Sequence, residues 1–236
     1  MCCRPIHHRR LPQINTISHV GHFLFTVKLL PVLKATANEK GSDVRVVTVQ
    51  KSVPLIKPPT NHHASQVSSA GHAFMMPDLT FTLTSDFTYP GVAPSPPDST
   101  GVRNQLSRNA VSKSANILFA SELQRRMDAE NIPIISTSLS PGIIATEGQA
   151  GLTFGLLGPV WWLVKTFASR SPEKGAVPSL YLAAAEEVRE RKGEFAGRYF
   201  ETSLKAVAPS KLASDPKLAR NLWELSEETV GKWTAT

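Results

Sequence analysis

The sequence predicts an α/β protein built on a parallel sheet. Three observations carry that reading: β-branched runs of strand length recur, segments with apolar residues at helical spacing stand beside them, and turn-forming residues separate the two. The chain has 236 residues, 41% of them hydrophobic, which suits one domain with a sizeable core.

From His19 to Ala37 the residues Val20, Phe23, Leu24, Val27, Leu30 and Leu33 recur at helical spacing and predict a buried helix. Pro31 should kink or loosen its last turn. Gly41, Ser42 and Asp43 signal a turn, and Val44 to Val49 is a β-branched run of strand length. The stretch that follows holds Pro54, Pro58 and Pro59 beside Asn61, His62 and His63, with no period to bury, and reads as a loop. Prolines recur from Pro77 to Gly101, predicting a long irregular excursion with Leu79 to Leu83 as one short strand. Order resumes near Asn109. Ala115, Ile117, Leu118, Ala120, Leu123 and Met127 form an amphipathic helical pattern, which leads into a strand from Ile132 to Leu139 ending at Pro141 and Gly142. Pro172 and Glu173 open another helix that Ala176 to Ala185 continues. Gly193 and Gly197 punctuate a short strand, Arg198 to Phe200, and Pro216 to Trp233 is a last helix carrying Leu218, Leu222, Leu225 and Val230.

The formal charge of +7 arises partly from Arg4, Arg9 and Arg10 in an aperiodic basic start, residues 1–13, set apart from a domain over 14–236. Elsewhere the charges alternate, as in Glu186, Glu187, Arg189, Glu190, Arg191 and Lys192, the pattern of a solvated helix face. No nucleic-acid partner is predicted. Cys2 and Cys3 are the only cysteines and cannot build a disulfide framework or a four-ligand zinc site, which favours a reducing, cytoplasmic location. His7, His8, His62, His63 and His72 share no periodic scaffold, so no metal site is predicted. Phe154 to Val164 is too short to span a bilayer, and Trp161, Trp162 and Leu163 read as a run that closes over a pocket or core. The expected chain is soluble, without a transmembrane segment.

Taken in order, several motifs resemble the short-chain dehydrogenase/reductase family, and in particular its retinol-dehydrogenase-like branch. Ser18, His19, Val20, Gly21, His22 and Phe23 resemble the branch's Asn-His-Leu-Gly-His-Phe helix start, with serine at the asparagine position. Lys113 and Asn116 stand at the family's spacing in Ser112, Lys113, Ser114, Ala115, Asn116. Pro141, Gly142 and Thr146 fit its Pro-Gly-x-x-x-Thr turn, while Gly197 to Phe200 and Leu222 to Ser226 resemble its tail. The resemblance implies a Rossmann-like, doubly wound parallel sheet. That sheet would be incomplete on its N-terminal side, because no Thr-Gly-x-x-x-Gly-x-Gly fingerprint precedes residue 40. Gly148, Gly151, Gly155 and Gly158 lack the strand-turn-helix setting of a nucleotide loop and read as a mobile segment over the substrate. Without the first βαβ unit, the strand from Val44 would have an exposed neighbour edge.

The resemblance also assigns the chemistry. In the family a tyrosine hydroxyl is the acid or base, and a lysine four residues later lowers its pKa and contacts the nicotinamide ribose. Lys113 is present, and Asn109 occupies the tyrosine position. An amide does not titrate in the useful range, so Asn109 can hold a carbonyl but not deliver a proton. Ser69 matches the serine that hydrogen-bonds the substrate oxygen. Ser18 stands where the family's asparagine helps hold a proton-relaying water. Lys113, Pro141, Gly142 and Thr146 are the implied cofactor contacts, for NADP or NAD with NADP favoured. The implied function is alcohol/carbonyl interconversion on a lipophilic small molecule, impaired by Asn109, and a homo-oligomer is compatible with it. The alternatives are a non-catalytic relative that binds a ligand or partner, and a basic protein that binds membranes or nucleic acid.

The family's Val-Ser-Ser follows directly on the strand that here ends at Thr48, whereas Val67, Ser68, Ser69, Ala70, Gly71 and His72 come later. Removing residues 49–66 joins Thr48 to Val67 and restores the pattern, so this segment reads as an inserted loop. Valine codons begin GT and one glutamine codon ends AG, consistent with an in-frame retained intron. Sequencing of mature transcripts should reveal a message lacking these codons; their presence in every message would show a true loop insertion.

Overall fold

Val44–Val49 (β1) and Ile134–Leu139 (β2) lie side by side as parallel strands, with Val44 opposite Ile134 and Val49 opposite Leu139. The fold is a computed structural model that describes residues 19–50, 80–82, 102–142 and 171–234. Tyr199–Phe200 (β3) pairs parallel with β2, and Ala206–Val207 (β4) closes the row antiparallel, giving the order β1-β2-β3-β4. Among the described residues β1 is therefore an edge strand.

Helices cover both faces. Gly21–Ala37 (α1), Val102–Ala129 (α2) and Pro216–Thr234 (α6) pack on one face, where Phe23, Leu118, Leu123, Met127, Ile134, Leu222 and Trp223 are buried together. Pro172–Ala184 (α3), Glu186–Glu190 (α4) and Lys192–Phe195 (α5) pack on the other, where Ile135, Leu139, Leu182, Val188, Phe195 and Phe200 form a second cluster. The alternation of strand side chains explains the division: Val44, Val46 and Ile134 join the first cluster, Val47, Ile135 and Leu139 the second. The architecture is the expected Rossmann-like, doubly wound α/β sheet.

Several expectations need correcting. The first helix is buried on one stripe only: Phe25 and Val32 are 66% and 64% exposed, because α1 has the sheet and α2 on one side alone. Pro31 is accommodated inside that helix. Thr80, Phe81 and Thr82 form no strand; Phe81 has φ +49° and buries its ring in the first cluster, while Asn221 donates to the Thr80 carbonyl at 3.0 Å. Leu79 and Leu83 lie outside the described residues. The helix expected from Asn109 begins at Val102, and β2 begins at Ile134 instead of Ile132. The strand expected from Val44 to Val49 is β1, and the Gln50 N–H extends its bonding by one residue, donating to the Leu139 carbonyl at 2.9 Å. Residues 51–66, the basic start and the Trp161, Trp162, Leu163 run are outside the described residues.

Arg45 joins the sheet to α3. Its side chain is 4% exposed, and its guanidinium donates to Asp43 at 2.9 Å and to the carbonyls of Leu182 and Ala185 at 3.1 and 2.8 Å. The Leu182 carbonyl lies in the last turn of α3, and the Ala185 carbonyl at its C-cap also accepts the Val188 N–H at 3.2 Å, so a cation there meets the remaining acceptor capacity and the helix dipole together. Arg45→Ala should lower unfolding stability by about 2–3 kcal/mol, because charge-assisted hydrogen bonds at a shielded site are lost. A urea midpoint within error of the parent would contradict this role.

Candidate active site

Helix α2 is buried all round from Val111 to Ala120, which places polar residues where each needs a partner. Ser136 donates through Oγ to the Ala120 carbonyl at 2.9 Å, and its N–H donates to Gln124 Oε1 at 2.7 Å. These bonds set the depth of α2 against β2. Lys113 lies two turns before Ala120, about 10 Å along the helix. Since β2 advances about 3.3 Å per residue in the opposite sense, Lys113 stands beside the carboxyl end of β2. Parallel α/β sheets bind ligands at that end.

Lys113 is 7% exposed, and neither a salt bridge nor a hydrogen bond holds its ammonium among the described residues. Burial pushes its pKa down to about 8, against the upward pull of Glu201. Tyr199 is buried against Ile117, one turn along α2 from Lys113. Two residues on, Glu201 projects to the same side of the sheet. Burial raises its carboxyl above the usual range, opposed by the hydrogen bond from Tyr199 and by the Lys113 charge. Glu201 Oε1 is shielded from solvent and has no hydrogen-bond partner among the described residues. The same alternation puts Gln50 on the α2 side at the end of β1; it is 4% exposed, and its Oε1 is likewise unpartnered.

Pro141 is buried just past β2, and Gly142 takes φ +76°. A Cβ on Gly142 would come within 3.0 Å of Thr202 Cγ2. The backbone angle favours glycine there, and the Thr202 methyl would have to shift to admit a Cβ. The structure thus brings Lys113, Pro141 and Gly142 to one end of the sheet. Asn109 falls on α2, one turn before Lys113. Ser18, Ser69 and Thr146 lie outside the described residues. Among the described residues there is no metal-holding group of His, Cys, Asp or Glu, and no helix is long and apolar enough to cross a membrane.

Sequence reasoning missed Glu201, Tyr199 and Gln50. The signal for the first two was the period of two after Gly197, and for the third its position directly behind a β-branched strand. It also left the His19 network unread. His19 is 1% exposed, with Nδ1 3.4 Å from Asn116 Oδ1 and Nε2 3.0 Å from Ser226 Oγ, so it ties the residues before α1 to α2 and α6.

No protein-family model matches the chain. Among curated proteins, a short chain dehydrogenase/reductase, dpmpH, from Macrophomina phaseolina is 41% identical over 165 residues, 70% of this chain and 78% of that protein. The short chain dehydrogenase/reductase dpchH from Colletotrichum higginsianum is 39% identical over 214 residues, 91% of this chain and 47% of that protein. Retinol dehydrogenase 13 from Homo sapiens is 32% identical over 222 residues, 91% of this chain and 53% of that protein. The chain belongs to the short-chain dehydrogenase/reductase family. It spans about half the length of two of these relatives, dpchH and retinol dehydrogenase 13.

Burial lowers the His19 pKa from 6.5 to about 4, with the Asn116 hydrogen bond opposing and His22 adding slightly. Between those values the unfolded chain binds the proton and the native one does not. Stability should therefore be full above pH 6.5 and fall as pH drops toward 4, by on the order of 3 kcal/mol. Urea unfolding across this range should show the loss, and His19→Gln should flatten it; an unchanged pH slope in the variant would refute the assignment.

Proposed function

We propose that this chain is an oxidoreductase acting on CH–OH groups, interconverting an alcohol and a carbonyl on a lipophilic small molecule with NADP or NAD. The observation that carries the reading is Lys113, a buried lysine without a salt bridge among the described residues, at the carboxyl end of a parallel sheet in a chain of this family. The local fit to the nicotinamide-ribose end of such a cofactor is good. Lys113 has donors to spare, and at Gly142 the absent Cβ leaves room for the Thr202 methyl beside the turn. A phosphate-cradling fingerprint is absent from the described residues.

Lys113 would donate to ribose hydroxyls, with Pro141 and Gly142 shaping the wall beside it. When bound, the nicotinamide supplies or accepts a hydride. Asn109 would orient the substrate oxygen by hydrogen bonding, and because an amide cannot transfer the proton, turnover should be slow. Ser69 and Ser18 would serve as the substrate-oxygen donor and a relay support, and Thr146 as a further cofactor contact, by their places in the motifs.

Calorimetric titration of the full chain with NADP and NAD should give saturable binding that Lys113→Ala weakens by about tenfold, the cost of one charge-assisted hydrogen bond. Asn109→Tyr should raise reduction of a medium-chain aldehyde by about 10²-fold or more, the contribution of a positioned acid. Absence of binding by either cofactor would overturn the oxidoreductase reading and favour the non-catalytic one.

A further inference from the structure

Three polar side chains share one end of the sheet, and the charges of Lys113 and Glu201 act on each other. Among the described residues Lys113 has no salt-bridge partner, and the shielded Oε1 atoms of Glu201 and Gln50 have no hydrogen bond. Buried polar atoms left unpaired cost about 1–3 kcal/mol each, so such a cluster calls for a ligand or a reaction. The strands set its geometry: Gln50 follows β1 beside Leu139, the Ser140 N–H donates to the Phe200 carbonyl at 2.9 Å, and Glu201 follows Phe200. Gln50 and Glu201 therefore flank the end of β2 on the face that α2 covers.

We propose that Lys113 captures a small aldehyde or ketone as an imine, with Glu201 as the proton donor for loss of water. The neutral amine attacks the carbonyl carbon and forms a carbinolamine. Glu201, uncharged, gives its proton to the departing hydroxyl, water leaves, and the resulting iminium yields the amine proton to the Glu201 carboxylate. The amine and carbonyl become imine and water, with no oxidant or reductant consumed.

The electrostatics favour these proton states. Burial holds Lys113 near 8 and raises Glu201, so each is more often neutral than in water. At pH 7.5 about a quarter of such lysines would be free amine, against roughly one in a thousand on the surface. Desolvated lysines of this kind serve as nucleophiles toward carbonyls. Tyr199, hydrogen-bonded to the Glu201 carboxyl, restricts its orientation.

The reaction needs no nicotinamide, so its test is separate from cofactor binding. The full chain would be incubated at pH 7.5 with hexanal and sodium cyanoborohydride, which reduces imines to stable amines, and digested for peptide mass spectrometry. Exposed Lys40, Lys205 and Lys217 in the same sample are internal references. Alkylation of Lys113 should be at least about tenfold faster than theirs and lose that lead in denaturant. Glu201→Gln should slow Lys113 by about tenfold and leave the reference lysines unchanged. Labelling of Lys113 no faster than the references would overturn the proposal, and this comparison within the parent protein decides even if the variant fails to fold. An unchanged Lys113 rate in a folded Glu201→Gln variant would remove Glu201 from the reaction.

Discussion

The burial of α2 on every side from Val111 to Ala120 is the constraint on which the rest of the structure depends. Between a sheet and two other helices that stretch has no solvated stripe, so its polar residues call for partners inside the protein. Ser136 and Gln124 fasten it to β2, while Asn116 meets His19. Phe119 stacks on Trp223 with ring centroids 5.8 Å apart, and Phe23 meets the same indole edge-on at 5.0 Å, locking α1, α2 and α6 together. Arg126 lies over that indole at 4.3 Å, where its stem adds packing and its charge stays near the surface. With α2 held this tightly, the height of Lys113 over the strand ends is settled.

That placement gives Lys113 its chemistry. An exposed lysine at the same sequence position would be a solvated cation; here desolvation makes the charge costly, and the Glu201 carboxyl offsets only part of that cost. Glu201 feels the converse pressure, since burial disfavours its anion more than Lys113 and Tyr199 favour it. Two groups of opposite charge are thus moved toward neutrality by one environment. This is the setting for proton or nucleophile chemistry, and it exists although the family's tyrosine position carries Asn109.

Where sequence and structure disagree, the cause is tertiary. The run around Phe81 has strand composition, yet its backbone turns through a positive φ so that one ring can fill the core beside α6. Helix α1 carries apolar residues on more than one stripe, and only the stripe facing α2 finds cover among the described residues. β4 is two residues long and exists because its neighbour β3 offers a free edge, which no local pattern announces. Val49 was legible as strand by propensity, whereas Gln50, read as the start of a loop, is held beside the strand end by its N–H bond to the Leu139 carbonyl.

By itself the sequence determined the α/β class, the order of the long elements, the family and the lysine of the site, because periodicity and motif spacing are local properties carried along the chain. Asn109 and the glycine of the Pro-Gly turn could be read the same way. Only the tertiary structure decided that Gln50, Glu201 and Lys113 share one end of the sheet, since they belong to different elements and meet through strand register and helix depth. It alone also decided their proton affinities, which depend on the water excluded around each group.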